Sequence, residues 1–191
     1  MMNTDKSLIE AHCKGDQKAF GEIVSRYGDS VLGYLIKMTG DKEQAEDLFQ
    51  ETFKRVHEKS HTFKGSEFKS WLFKIATNVT YDGFRKKQRA QSKGFIANYS
   101  TENSDDLISN AAADNSCNPS IATVKAEQAE QVRQAVESLP EKQKATLILA
   151  YYQQLSYREV ALALDCSIGT VKTQMYRALK TLAQKLPEVE L

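Results

Sequence analysis

The sequence predicts an all-α protein made of two small helical domains joined by a flexible acidic linker. Three observations support this. The 191 residues include only three prolines and nine glycines, and 41% are hydrophobic, enough for a core. Apolar residues recur at helical spacing on both sides of a central segment that lacks such a period. The charge divides in the same way, with a net +4 over residues 1–93, −5 over 94–131 and +2 over 132–191.

The first domain, expected over residues 1–93, contains four predicted helices. A short helix over about Asp5–Cys13 precedes a long one capped by Asp16, and a third starts at a capping box formed by Asp41 and Gln44. A loop over residues 60–65 leads to the fourth. The side chains expected to be buried are Phe20, Ile23, Val24, Tyr27, Val31, Leu35 and Met38, then Ala45, Leu48, Phe49, Phe53 and Val56, and finally Phe68, Trp71, Leu72, Ile75 and Val79.

Residues 94–120 form the predicted linker. They are rich in Asn, Ser and Asp, contain few apolar residues and show no period, so we expect no stable fold there. The second domain, expected over residues 121–191, opens with a helix to about Glu137. A further helix follows Pro140, which suits a first turn, and runs to about Tyr152.

The segment LSYREVALALDCSIGTVKTQMYRALKTL, residues 155–182, indicates two helices joined by a tight turn. Ser156 and Glu159 form a capping box at the start of the first helix, and residues 165–167 supply the turn. The side chains expected to be buried are Val160, Leu162 and Leu164 on the first helix, and Val171, Met175, Ala178 and Leu182 on the second.

The outward face of the second helix of this pair carries no acidic residue. Its members are Thr170, Lys172, Thr173, Gln174, Tyr176, Arg177 and Lys180. Hydrogen-bond donors and cations of this kind suit the edges of bases in a major groove and the neighbouring phosphates. The alternative is an ordinary lysine-rich, solvated side of an amphipathic helix.

The fourth helix carries a second cationic surface. Lys74, Asn78, Tyr81 and Arg85 fall at helical spacing, so we expect one stripe opposite the buried side, which Lys86 extends. Cations with aromatic neighbours, here Phe63, Phe73, Tyr81 and Phe84, are typical of single-stranded DNA binding, where each base stack contributes about 1–3 kcal/mol. Alternatively, the aromatic rings belong to the core and the lysines complement the helix dipole.

The third helix presents a different face, on which Asp47 and Gln50 lie opposite the apolar side and Glu51 flanks them. Carboxylates beside a DNA-binding helix would repel phosphate, so this face fits a basic protein surface better. Ordinary solvated surface is the alternative.

Several classes of protein are disfavoured by the sequence. No phosphate-binding glycine loop, nucleophile motif or paired acid and base is present, so we expect no enzyme and no cofactor. His57 and His61 are four apart but straddle a predicted helix end without a third ligand, so we expect no metal. Three dispersed cysteines, no signal peptide and no long apolar run predict a reduced cytoplasmic protein that does not insert into membranes.

These motifs together resemble a known family. QAEDLFQETFKRVHE followed by FKSWLFKIATNVTYDGFRKK is similar to the core-binding and −10 segments of bacterial sigma factors, known as region 2. SLPEKQKATLILAYYQQLSYREVALALDCSIGTVKTQMYRALKTL resembles their −35-binding region 4. The size and the presence of only these two regions match the extracytoplasmic-function (ECF) group of the sigma-70 family.

The resemblance implies a role for each surface. Asp47, Gln50 and Glu51 would bind the clamp helices of the largest subunit of RNA polymerase. Region 4 would bind the flap region of the same enzyme. The −10 element would be held by His61, Phe63, Lys64, Lys74, Asn78, Tyr81, Arg85 and Lys86, with one base flipped out at the loop. The −35 element would be read by Thr170, Lys172, Thr173, Gln174, Tyr176 and Arg177. An anti-sigma factor is an implied further partner.

Three function classes stay open on the residues alone. A promoter-specificity subunit of RNA polymerase predicts weak DNA binding by the free chain and strong binding together with core enzyme. An ordinary helix–turn–helix regulator predicts tight duplex binding unaided. A protein-interaction module, such as an anti-sigma factor or adaptor, predicts no DNA footprint. Two separate cationic surfaces joined by an acidic segment favour the first.

Overall fold

A computed structural model describes the backbone of residues 4–65, 67–92 and 119–186, and the side chains of those residues except 91, 92 and 119–126. Most of the predicted linker lies outside the described residues. The helices are α1 (Asp5–Cys13), α2 (Gln17–Thr39), α3 (Lys42–Lys59), α4 (Phe68–Ser92), α5 (Pro119–Glu137), α6 (Glu141–Leu147), α7 (Tyr157–Ala163) and α8 (Ile168–Lys185). The described part of the chain contains no strand, so the all-α prediction is confirmed.

The helix boundaries follow local chemistry. Asp16 caps α2 by accepting a hydrogen bond from the Lys18 amide, and Gly40 ends that helix in the left-handed conformation with φ 70°. Asp41 Oδ1 accepts from the Gln44 amide at 3.1 Å, which confirms the cap of α3. The reciprocal contact that a full capping box requires is not among the hydrogen bonds of the described residues.

The core of α1–α4 is built mainly from the predicted apolar stripes. Ile23, Val31 and Leu35 are fully buried, as is the third helix's Val56. Tyr34, which the sequence does not predict to be buried, is also fully enclosed. Its hydroxyl has a hydrogen-bond partner inside the core, since it lies 2.7 Å from the Thr77 hydroxyl. The predictions for six residues are only partly right, since these side chains are half-buried: Phe20, Val24, Tyr27, Leu48, Phe49 and Trp71.

Helices α3 and α4 approach each other closely near the end of α4. A Cβ atom added at Gly83 would lie 3.1 Å from Leu48 Cδ2, a separation that leaves little room for a larger residue. Arg55 of α3 also binds Asp82 of α4 at 3.1 Å. Helices α3 and α4 are thus in direct contact at this level.

The helical segment that directly follows α6 has a different hydrogen-bonding pattern. Residues Ile148–Tyr152 form a π-helix, and the segment ends at Tyr152 as predicted. Such π-helical turns are rare and accommodate one extra backbone unit per turn. The next residues leave the helix, with Gln154 at φ 54°.

The α1–α4 and α5–α8 groups do not stand apart. Helix α7 packs on α4, and α2 contacts both α6 and the π-helix. One continuous apolar cluster includes Leu35 and Phe73 from the first group and Leu149, Leu155 and Val160 from the second. Helix α4 is consequently covered on two sides, since Phe73, Ala76 and Thr77 are as buried as its predicted stripe.

Candidate nucleic-acid interface

The helix–turn–helix is confirmed, but Leu164 and Leu182, which are expected to be buried, are only half-buried. Ser156 and Glu159 make both halves of the predicted capping box, and the turn between α7 and α8 places Asp165 at φ 53°. Val160 is fully buried, but the prediction for Leu162 is wrong because its side chain is 49% exposed. Ala161 and Ala163 are the buried neighbours instead, since α7 packs closely on both α4 and α8.

The proposed reading face of α8 is open to solvent. Val171, Met175 and Ala178 are buried as predicted, which turns the opposite side outward. Tyr176 is 68% exposed. The exposed members of the predicted set are Thr170, Lys172, Thr173, Tyr176 and Arg177, whereas Gln174 is half-buried.

Two hydroxyl groups on this face already have partners. The Ser167 Oγ accepts a hydrogen bond from the Thr170 amide and lies 2.9 Å from the Thr170 hydroxyl. The Thr173 hydroxyl donates to the Gly169 carbonyl, one turn back. Lys172, Tyr176 and Arg177 are therefore the side chains best placed to reach a ligand.

The stripe predicted on α4 is only partly exposed, which corrects the expectation of one open face. Asn78, Arg85 and Lys86 are exposed. Lys74 forms an ion pair with Asp165 at 2.9 Å, and Tyr81 packs against the apolar core. The pKa of Tyr81 is raised to about 12, chiefly by burial and further by Glu141 and Cys166.

The end of α4 concentrates positive charge. Arg85, Lys86 and Arg89 line a shallow surface depression together with Asp82. Asp82 lies 3.8 Å from Arg85 and binds Arg55 more closely. The single carboxylate is thus neutralised by its neighbours, which leaves the patch cationic for an anionic ligand.

The loop before α4 borders a shallow cavity of about 330 Å³ that is open to solvent. The residues that line it are Phe63, Lys64, Gly65, Glu67, Ser70, Trp71, Lys74 and Leu162. His61 lies in a short 3₁₀ turn, Ser60–Thr62, and is exposed outside this lining. Phe63 packs on Phe68 and Trp71 with ring centroids 5.4 Å apart in each pair.

Two residues of the cavity lining carry polar atoms without a partner. Glu67 Oε2 and Ser70 Oγ are both buried and lack hydrogen bonds within the described residues. Buried polar atoms of this kind are normally paired, so these two are available to a ligand. Beside aromatic rings and the Lys64 and Lys74 side chains, they fit a flat polar group such as a base. Sequence reasoning did not single out either one.

The predicted protein-binding face on α3 keeps its charge. Asp47 and Gln50 are exposed. Glu51 is half-buried and accepts a hydrogen bond from Arg55 Nε at 2.8 Å, which holds the carboxylate in place. The structure therefore brings the three residues to one side of α3, with Glu51 partly neutralised.

The histidines are arranged differently from the sequence expectation. His57 lies against His12, with ring centroids 4.8 Å apart, and both rings contact Phe20. Burial, followed by the charge of His57, lowers the pKa of His12. No group of three metal-ligating side chains comes together in the described ranges. Within the same ranges, no helix has the length and apolar character needed to cross a bilayer.

Comparison with known proteins gives the family of this chain. The family models for Sigma-70 region 2 and for Sigma-70, region 4 match residues 23–90 and 129–182. The chain is 32% identical to the ECF RNA polymerase sigma factor SigW of Bacillus subtilis, over 96% of this chain and 97% of that protein. It is 31% identical to the ECF RNA polymerase sigma-E factor of Escherichia coli K12, over 96% and 94% respectively.

Solved structures share the fold. The sigma factor RpoE of Bartonella quintana, in complex with the anti-sigma factor NepR, superposes with a TM-score of 0.72 at 24% identity, over 91% of this chain and 99% of that one. CnrH, in complex with the cytosolic domain of CnrY, gives a TM-score of 0.65 at 20% identity, over 95% and 96%. On its matches to both region models and to full-length relatives, this chain belongs to the ECF sigma factors of the sigma-70 family.

Proposed function

We propose that the chain binds core RNA polymerase through α3 and directs it to promoters whose −10 and −35 elements are contacted by α4 and α8. The observation that supports this most is the separation of charge among three helices. Two cationic surfaces lie on α4 and α8, while the acidic residues Asp47 and Glu51 lie on α3. One chain thus offers two nucleic-acid surfaces and one distinct protein surface.

Docking on polymerase is assigned to Asp47, Gln50 and Glu51, facing the clamp helices of the largest subunit. The first two are exposed, and Arg55 holds the third. Carboxylates fixed in position lose little conformational freedom on binding and select a basic partner.

Recognition of the −10 element is assigned to the cavity before α4 and to the cationic end of that helix. A base turned out of the stack would enter beside Phe63 and Lys64, where Glu67 and Ser70 offer free hydrogen-bonding atoms. Unstacking costs a few kcal/mol, which phosphate contacts along α4 offset. His61, Lys74, Asn78, Tyr81, Arg85 and Lys86 complete this surface.

Recognition of the −35 element is assigned to α8, inserted in a major groove. The exposed side chains Lys172, Tyr176 and Arg177 reach farthest, and the hydrogen-bonded Thr170 and Thr173 lie beside them with Gln174. Region 4 would also contact the polymerase flap.

In this proposal residues 1–93 and 121–191 are the two functional domains, and residues 94–120 connect them. An anti-sigma factor would control the chain by covering its polymerase-binding surfaces. The chain acts in the cytoplasm, where polymerase and promoters are found, and directs an enzyme without catalysing a reaction itself.

Run-off transcription on a promoter library tests the proposal. Purified core polymerase is assayed with and without the chain, and a known sigma factor verifies that the core is active. Transcripts that depend on the chain are expected, and their upstream sequences give the promoter consensus. If the library includes its promoter and no such transcripts form, the chain is instead a stand-alone DNA binder or an interaction module.

The double substitution Asp47→Arg with Glu51→Arg tests the docking surface. Replacing two carboxylates by cations against a basic partner is expected to weaken capture of core polymerase by about a hundredfold. Quantitative pull-down measures this. Glu58→Arg is the matched control, since Glu58 is an exposed acid near the end of the same helix. Equal capture of the double variant and the control would contradict the assignment.

A further inference from the structure

We propose that α1 is a positioning element for the cavity before α4, because contacts from both of its ends lead to Phe63 in the cavity wall. This inference rests on the proposed function, since that cavity is assigned to the captured −10 base. Helix α1 lies ahead of residues 23–90, the range that the region 2 model matches, so that match gives it no role.

Helix α1 is held against the rest of the chain by apolar burial. Leu8 and Ile9 are buried, and the helix packs on both α2 and the 3₁₀ turn Ser60–Thr62. The Thr4 hydroxyl oxygen caps its first turn by accepting a hydrogen bond from the Ser7 amide. A helix seated in this way is a fixed support for its neighbours.

The last residue of α1 leads to Phe63 through the 3₁₀ turn. The Cys13 thiol donates to the buried Ser60 hydroxyl, with Sγ and Oγ 3.6 Å apart, and that hydroxyl donates to the His57 carbonyl at 2.9 Å. The Phe63 amide donates to the Ser60 carbonyl at 3.1 Å. A thiol is a weak donor, so the Cys13 contact orients Ser60 more than it stabilises the fold.

The first residue of α1 leads to Phe63 through a tyrosine on α2. The Tyr27 hydroxyl donates to Asp5 Oδ2 at 2.6 Å, while Arg26 Nη1 lies 2.6 Å from Asp5 Oδ1. Burial, followed by the bond to Asp5, raises the pKa of Tyr27, so the hydroxyl keeps the proton that it donates. Each oxygen of the carboxylate thus has its own partner, and the direction of the Tyr27 hydroxyl is fixed.

From Tyr27 the contact continues through packed aromatic rings. The Tyr27 ring centre lies 5.3 Å from that of the fully buried Phe68, which in turn lies 5.4 Å from Phe63 in an edge-to-face arrangement. The Phe68 ring also lies 5.6 Å from Trp71. Phe63 and Trp71 both line the cavity, so these rings end at the wall against which a base would pack.

The two sets of contacts reach Phe63 at different atoms. The first holds its backbone amide, and the second holds its ring. A side chain fixed at both places loses little conformational freedom when a base packs on it. Positioning of this kind raises the affinity for the captured base and requires no contact between α1 and DNA.

Binding of premelted promoter fragments tests the proposal. The holoenzyme is assayed on fragments in which each nucleotide of the −10 non-template strand is replaced in turn by an abasic one, and the captured base is the position of largest loss. Tyr27→Phe keeps the ring and removes the bond to Asp5. It should reduce the loss at that position by about three- to tenfold and leave binding of the abasic fragment unchanged.

Matched variants separate positioning from a loss of stability, which would weaken binding of both fragments equally. Glu10→Gln changes an exposed side chain of α1 and should leave both affinities unchanged. Cys13→Ala should act as Tyr27→Phe does, by a smaller factor. Cys13→Ser keeps a donor for Ser60 and should restore the wild-type loss.

Equal losses at the captured base in the wild type and in Tyr27→Phe would overturn the positioning role and leave base capture intact. If the wild type loses no affinity at any position, base capture itself is contradicted, and the positioning role with it.

Trp71 fluorescence in the free chain gives a readout that needs no DNA, since Trp71 is the single tryptophan and lines the cavity. Its quenching by acrylamide should change in Tyr27→Phe and stay as in the wild type in Glu10→Gln. Equal quenching in all three chains would contradict a link from α1 to the cavity wall.

Discussion

The two proposed DNA surfaces differ in how many sides of their helices are covered. Helix α8 packs its apolar stripe on one side, and the opposite side is open, with Tyr176 68% exposed. Helix α4 has neighbours on two sides, so Lys74 is paired and Tyr81 half-buried. Helical periodicity identifies an outward face correctly when every neighbour of a helix lies on its apolar side.

The open face of α8 predicts that the effect of a substitution there depends on the DNA sequence of the −35 element. Arg177→Ala should weaken promoter binding by the holoenzyme by about 1–3 kcal/mol if Arg177 contacts a base edge. Binding measured on a promoter with a scrambled −35 element should show no such loss. Arg85→Ala on α4 is the comparison variant, and its loss should be the same on both promoters. A uniform loss for Arg177→Ala would mark a phosphate contact.

The buried side of α4 predicts an effect on stability. Tyr34→Phe should lower the free energy of unfolding by about 1–2 kcal/mol, because the Thr77 hydroxyl is left buried without its partner. Urea unfolding followed by circular dichroism measures it. Tyr27→Phe is the matched control, since Tyr27 is half-buried and bonds to the partly exposed Asp5. A larger loss in the control would contradict this ranking.

A third substitution tests whether the two groups of helices unfold together. Ser156→Ala removes the cap of α7 and should cost about 1 kcal/mol. Trp71, the single tryptophan, lies on α4, so its fluorescence should report the same loss if the shared core makes unfolding cooperative. Ser25→Ala, on the exposed side of α2, is the control. A Trp71 transition that does not move would mean that the groups unfold separately.

The smallest expected effect is acid sensitivity that originates in the α1–α4 group, which holds all three histidines. Burial, then His57, lowers the pKa of His12 below its ordinary value of 6.5. The unfolded chain then binds more protons, so stability should fall as the pH drops below 6.5. Unfolding of the wild type and of His12→Phe at pH 7.5 and 5.5 measures this. An equal fall in both would contradict the role of His12.

Much of the fold could be predicted because its signals are local. The bounds of α1, the Asp16 and Asp41 caps and the Ser156 capping box all depend on residues within one helical turn. The outward side of α8 could be predicted for the same reason.

The rest depends on contacts that no local pattern encodes. Lys74 and Asp165 are 91 positions apart. The cavity atoms of Glu67 and Ser70 become recognisable only once the loop and α4 enclose them. Leu162 fits an apolar helical stripe, yet its side chain lines the cavity before α4 and is not part of the core. The contact between His12 and His57 likewise joins two helices without a shared motif.

The close approach of α3 and α4 has a mechanical consequence. A Cβ atom at Gly83 would lie 3.1 Å from Leu48 Cδ2, and Arg55 binds both Glu51 on its own helix and Asp82 on α4. The proposed polymerase contact on α3 and the proposed −10 contact on α4 therefore lie on two helices whose side chains touch. We expect a large partner that displaces α3 to move α4 as well.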